Sequence, residues 1–555
     1  MYSIKRVTPG KKELRLCTFS LIMLCSVFCV LTGSAFAGQP TSMEAVHFLQ
    51  QASFGATGAS VAEVQQKGFS AYINSQFAEP ATAYPPMTVV DPNSSVGCPS
   101  GSPSYCYRDN YTAFLLQNSF FQNALTANDQ LRQRVAFALS QIFVISNVKV
   151  KCAYAIREYE QMLIAGAFGN FRDLLQNVTL SPAMGDYLDM ANNNKANASR
   201  GTSANENYAR EVLQLFTVGL VKLNADGTVQ KDNQGNPIAT YGQDTIENLA
   251  RVFTGWTYPT APGSTAKANN PKYYVGEMIP VSANHDAGSK TLFGSTTLPA
   301  NLSPGADLEA ALDAIFDHPN VGPFIGEQLI KFLVTSNPSQ SYISRVTAVF
   351  NNNGQGVRGD MKAVISAILL DDEARGSAAD PGTSGLLREP VLFITTLLRG
   401  LGGISDGVYL NDQTGALGQP VFDAPNVFNF YPPDYPLPGN SNTLVAPQFA
   451  IQNTTTTIGR WNFLYRVLFS DIPANSSVTG STGTSMDWSQ WLPLANSPDE
   501  LIMSMDFTLY GGVLDAVSRS IISAAVQTVN PGDAYGRLRT AAYLIAASPQ
   551  AMIQR

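Results

Sequence analysis

Beyond the first 37 residues the chain holds only three histidines, His47, His285 and His318, so each is a candidate for chemistry. His285-Asp286 falls in a loop, with Asn284 before it and Gly288 two residues on. A loop imidazole beside a carboxylate can serve as general base or as metal ligand. The plainer reading is an Asx-turn at Asp286 with His285 packed locally. His318 ends a helix just ahead of Pro319-Asn320, where the helix dipole favours a protonated, capping imidazole. His47 lies toward the apolar side of the first helix and reads as structural. No two histidines share the i, i+4 spacing of a helix-borne metal pair. A divalent metal held by His285, Asp286 and His318, or a three-histidine zinc site, is left as an alternative.

A second cluster is the polar run Asn205-Glu206-Asn207-Tyr208-Ala209-Arg210-Glu211, set in an otherwise apolar helix. Glu206 and Arg210 are i, i+4 neighbours, and Glu211 is rotated off that face. Such a helix end can line a cleft, with Glu206 or Glu211 as acid/base carboxylate. Together with His285 and Asp286 these form the expected catalytic set. Asn205, Asn207, Arg210, Trp256, Lys290 and His318 are the expected binding residues. The opposing account is a buried ion-pair network. Arg132, Arg134 and Arg251 sit in helices of mainly apolar residues and need carboxylate partners if buried; Asp186 and Asp189 pose the same question.

Other patterns carry less. Gly354-Gln355-Gly356-Val357-Arg358-Gly359 matches GxGxxG, but a helix precedes it where a dinucleotide site needs a strand. A glycine joint between helices accounts for it, and no nucleotide cofactor is expected. No GxSxG, HExxH or phosphate loop is present. Phe428, Phe430, Tyr431 and Tyr435 beside Pro432-Pro433 form an aromatic loop, read as core packing ahead of a carbohydrate platform.

The elements that must position these residues are mostly helical. Ser60 with Glu63 suggests a capping box and Gly68 a stop. In 129–146, Leu131, Val135, Leu139 and Ile142 fall on one face. Helices are also expected over 205–220, from Asp244 to about Trp256, and over 306–316, 323–334, 341–350, 360–374, 386–401 and 535–547. Turn signals at Asp226-Gly227 and Gln234-Gly235-Asn236 predict a hairpin inserted between two helices. Residues 273–281 and 291–293 add a small sheet, and 83–109 and 471–488 read as loops. The expectation is one large, mainly α-helical domain over 38–555, with a bilobed form as the alternative.

Composition narrows the setting. Lys5, Arg6, Lys11, Lys12 and Arg15 precede an apolar stretch, 16–31, and Ala35-Phe36-Ala37. This is the pattern of a cleavable signal peptide over 1–37, since the apolar run is shorter than the roughly 20 residues needed to span a bilayer. Export to the periplasm or beyond follows, and no later segment reads as a membrane span. Removing five basic residues and Glu13 from totals of 35 and 42 leaves 30 basic and 41 acidic, a net charge of −11. An acidic surface repels phosphate backbones, which argues against nucleic acid as partner. Three cysteines remain. Cys98 and Cys106 flank a short loop and are the first choice for a disulfide, with Cys152 unpaired or exchanging with one of them.

Taken in order, the motifs resemble a bacterial exported family, domain of unknown function 1800. They run from Ala45-Val46-His47-Phe48-Leu49 through Leu131-Arg132-Gln133-Arg134-Val135-Ala136, the 205–211 run and Ala250-Arg251-Val252-Phe253-Thr254-Gly255-Trp256. His285-Asp286, His318-Pro319-Asn320, Arg358-Gly359-Asp360, Arg388-Glu389-Pro390 and Asn426-Val427-Phe428-Asn429-Phe430 follow. The resemblance implies export and a partner, a sulfatase-like exported protein of the domain of unknown function 1501 type, but no reaction. From residues and resemblance together, the expected function is acid/base hydrolysis of an extracellular polymer, a glycan, in a cleft between the 205–211 helix and the His285-Asp286 loop. The alternative is a non-catalytic binding or assembly protein.

Overall fold

The computed structural model describes residues 39–376, 384–439 and 444–555; the signal-peptide reading, with Cys17, Cys25 and Cys29, lies outside them. The described residues contain twenty-two α-helices and four two-stranded antiparallel sheets, so the fold is mainly α-helical. No helix among them is long and apolar enough to cross a membrane.

The helices form where apolar spacing and caps agree. Helix Gln130–Ile142 buries Leu131, Val135, Leu139 and Ile142, the face the spacing picks out. It starts after Asp129 and ends four residues earlier than the periodicity suggests, where Phe143 leaves helical geometry. Helix Gly58–Lys67 is capped by Thr57 with Ser60, one turn earlier than the Ser60–Glu63 pairing, and Gly68 ends it at φ 78°. Helix Asn207–Gln214 is half the expected length: Asn205 and Glu206 precede it, and Gly219 turns the chain at φ 69°. Helix Gln243–Val252 follows Gly242 with no side-chain cap, so Asp244 and Glu247 do not cap it. Helix Pro390–Leu401 starts at a proline; Leu386–Leu387, expected to be helical, instead pairs as a strand with Ile553–Gln554.

The smaller elements follow their turn signals. Residues 221–223, 229–231 and 237–239 are joined by antiparallel bridges, so the inserted hairpin exists as a short meander. Ile279–Pro280 pairs with Trp256–Thr257, and Lys290–Leu292 with Thr296–Leu298. The two expected loops are less bare than composition suggests. Within 83–109 lie the helical turn Ser94–Gly97 and the start of helix Cys106–Tyr111, and within 471–488 strand Thr484–Met486 pairs with Gly403–Ser405. The 354–359 glycine run joins helices Gln340–Asn351 and Met361–Leu370, as a joint should.

One continuous apolar cluster extends from Ala45 to Ala551. Its two ends are tied by Arg388, which is 1 % exposed. The guanidinium donates to the Ala551 and Ile553 carbonyls at 2.8 and 2.7 Å and to Gln50 Oε1 at 2.7 Å. That is the structural work of the Arg388-Glu389-Pro390 motif.

Cys98 and Cys106 are disulfide-bonded, and Cys152 is free and buried. The two partners are eight residues apart. Closing so short a loop constrains the unfolded chain by about 2–3 kcal/mol. The Cys98→Ser/Cys106→Ser variant is expected to lose that much in urea unfolding, with no further loss on adding reductant.

Candidate functional site

The two segments the sequence singled out do approach one another, but through neighbouring residues. Helix Pro182–Tyr187 ends at Leu188, and the chain then turns sharply, with Asp189 and Asn192 at φ 59° and 63°. Short polar side chains tolerate that left-handed geometry better than most. The loop it opens, 189–205, is stitched by asparagines. Asn205 N–H donates to Asn193 Oδ1 at 2.8 Å, and Asn193 Nδ2 returns a bond to the Asn205 carbonyl at 3.2 Å. Lys195 N–H donates to the Asn284 carbonyl at 2.8 Å, which brings the residue before His285 to the same place. Gly255, at φ 79°, makes the approach feasible: a Cβ there would lie 2.9 Å from His285 Cβ.

The result is an open hollow of 630 Å³ lined by Asp189, Asn192, Asn193, Asn194, Lys195, Asn197, Arg200, Asn205 and Asn284, with small residues between them. Its one carboxylate, Asp189, accepts from Lys149 Nζ and Asn207 Nδ2, both at 3.0 Å. Asn194 Oδ1 is buried and has no partner among the described residues. The walls therefore offer amide donors and acceptors beside two cations, Lys195 and Arg200, and one paired carboxylate.

Of the expected catalytic and binding residues, only Asn205 lines this hollow. Glu206 instead pairs with Arg210 at 3.0 Å on the surface and accepts from Gln243 at 3.1 Å. Glu211 is half-buried, burial raises its carboxyl above the ordinary value, and Oε2 has no partner among the described residues. His285 is sealed in, 3 % exposed. Its Nε2 faces Asp307 Oδ2 at 3.0 Å and its Nδ1 the Thr254 carbonyl at 2.8 Å. Lys290 is buried beside it, pairing with Asp307 and donating to the Asp286 carbonyl at 2.6 Å. Asp286 is bidentate to Arg251 at 2.9 and 3.1 Å and accepts from Gly288 N–H; these bonds hold its carboxyl low against the opposing effect of burial. Trp256 is buried in the strand that carries Gly255's turn onward.

His318 departs from the sequence reading. Burial, helped by Lys222 and Arg358, lowers it to about 4, and its Nδ1 accepts from Asn320 N–H at 3.1 Å. The ring is therefore neutral, tilted against Phe293 with centroids 4.9 Å apart, and not a cation on a helix end. The three histidines do not converge, and no group of three metal-binding side chains occurs among the described residues. Asp186 is likewise internal, held by Tyr258, Tyr274 and Lys272.

The arginine network is mixed. Arg251 has its carboxylate, Arg132 lies 3.9 Å from Asp129, and Arg134, fully buried, donates to the Phe332 carbonyl at 2.5 Å. Arg134 also feels the charge of Glu389, which is 2 % exposed. Glu389 accepts from Tyr431 Oη and Gln419 Nε2 at 2.7 and 2.5 Å, and Asn429 Nδ2 donates to Gln141 Oε1 at 3.0 Å beside them. Thus three motifs far apart in sequence meet around Gln141. On its other side Glu160, 5 % exposed and desolvated, has its carboxyl raised to about 8 and faces a narrow niche with Asn429 and Phe430. Neither Glu160 nor this amide cluster stands out in sequence. The run Asn192-Asn193-Asn194 does, and three adjacent amides between helices were the available signal for the hollow.

These features define a mainly helical protein with one continuous core and an amide-walled surface hollow. The chain belongs to the family described as Protein of unknown function (DUF1800), whose model matches residues 47–553. No curated protein and no solved structure matches it.

Proposed function

We propose that this is an exported protein that binds a glycan in the asparagine-lined hollow without cleaving it. The observation that carries the reading is the wall chemistry. Amide side chains donate and accept at once, matching sugar hydroxyls without demanding a charge. Hydrolysis of a glycosidic bond needs two carboxyl groups across the bond, whereas the hollow has one, and that one is paired. The Cys98–Cys106 disulfide and the basic-apolar-small leader pattern both support export. Protein recovered outside the cytoplasm is then expected to begin at Gly38.

A second reading rests on Glu211, whose unpartnered, half-buried carboxyl suits a general acid. One set of assays separates the two. With soluble glycan oligomers, Asn194→Ala is expected to weaken binding about tenfold with unchanged thermal stability, because the lost Oδ1 has no internal partner to strand. No oligomer should be shortened. Shortening that disappears in Glu211→Gln would replace binding by hydrolysis, and Asn194→Ala binding at full strength would remove the hollow from the account. A stoichiometric complex with a sulfatase-like exported protein, in a chain that binds no glycan alone, would favour assembly.

A further inference from the structure

The asparagine-lined hollow also carries charge, and its sign is opposite to that of the chain. The sequence holds 42 acidic and 35 basic residues, yet in the wall of the hollow two cations, Lys195 and Arg200, face a single carboxylate, Asp189. Asp189 is already offset by Lys149 at 3.0 Å. Lys195 and Arg200 are exposed, and neither side chain has an ion pair or hydrogen bond with any described residue. Their backbone is nonetheless held in place. Lys195 N–H donates to the Asn284 carbonyl, and Asn197 and Thr202 exchange backbone bonds at 2.9 and 3.2 Å, which closes the turn that carries Arg200.

The hollow is therefore a positive concavity on an acidic chain. Concave walls concentrate the field of their charges, and screening over about 8–10 Å limits repulsion from carboxylates elsewhere. A guanidinium presents a planar fork of donors that suits the paired oxygens of a carboxylate or a sulfate, and an ammonium adds a point charge. The amides between them suit uncharged hydroxyls. Resting on the glycan reading above, we infer that the oligosaccharide bound here is acidic: Lys195 and Arg200 meet its carboxylate or sulfate-ester groups, and the asparagine amides meet its hydroxyls. A neutral glycan would bring no counter-charge to either cation.

Calorimetric titration of the chain from Gly38 onward at pH 7 tests it with two matched pairs of probes. One is trigalacturonic acid against its uncharged methyl triester, the other a sulfated carrageenan tetrasaccharide against its desulfated form. In at least one pair the acidic member is expected to bind about tenfold more tightly, and the pair that shows the larger ratio separates carboxylate from sulfate. Raising the salt should weaken the acidic member, whereas simple repulsion by the chain's net charge would make salt strengthen it. Lys195→Gln and Arg200→Gln should each lower the ratio, and together bring it close to one, at an unchanged unfolding temperature since both side chains are exposed and unpaired. Lys231→Gln, an exposed cation outside the hollow, should leave the ratio as it is, which excludes an effect of bulk charge. Equal affinity within both pairs would overturn the acidic assignment and leave the glycan reading standing. Binding of none of the four probes would count against both. A preference that survives in the double variant would place the anion elsewhere and overturn the assignment.

Discussion

Glu160→Gln is expected to make the folded chain about 3–5 kcal/mol more stable at pH 8 while changing it little at pH 4. The carboxyl is 5 % exposed on helix Ala153–Gly166, and burial alone raises it to about 8 from 4.5. The unfolded chain begins to ionise this group near pH 4.5, whereas the folded chain holds the proton up to about pH 8. Folded-state stability is therefore fully present below 4.5 and is withdrawn as pH rises, at about 1.4 kcal/mol per pH unit across that window. Glutamine keeps the shape and the neutral charge and cannot ionise in either state. Urea unfolding of both proteins at pH 4, 6 and 8 should show two curves that meet in acid and diverge toward base. Parallel curves would mean that the folded carboxyl is already ionised.

The other large effect is expected at Asp307, the partner that the fold gives to His285. Asp307→Ala should cost about 3–5 kcal/mol, because Asp307, wholly buried, accepts from both His285 and Lys290, and its loss strands a buried ammonium. Lys290→Met added to Asp307→Ala should recover part of it, since the uncompensated ammonium is then gone while His285 Nε2 still lacks its partner. Glycan binding at the hollow should be unchanged in the double variant. A single variant as stable as the wild type would show the cluster to be solvated and open, which would restore His285 as a candidate base.

These two cases locate the boundary of what the sequence conveys. The helix Gln130–Ile142 and its buried face are legible because four apolar residues at helical spacing allow one burial solution. The Cys98–Cys106 bond is legible because the two thiols bracket a short loop. The length of the Asn207 helix is not, since its end depends on where Gly219 and Phe324 pack, a contact between residues more than a hundred positions apart. Nor does spacing reveal whether His285 looks outward. A loop histidine beside an aspartate reads the same whether it meets solvent or, as here, Asp307 twenty-two residues later.

The chain's own residues thus determined its helical character, the positions of its main apolar faces, its local disulfide and its family, because each depends on contacts within a turn or two or on an ordered set of motifs. Tertiary structure alone decided which polar groups are walls and which are braces. It turned His285 and Lys290 inward, paired Asp286 with Arg251, and left the asparagines between 192 and 205 around an open hollow. It also gathered Gln141, Glu389 and Asn429 in one hydrogen-bonded cluster. The physical reason is that exposure and ionisation belong to an environment assembled from distant segments, and no local spacing encodes that environment.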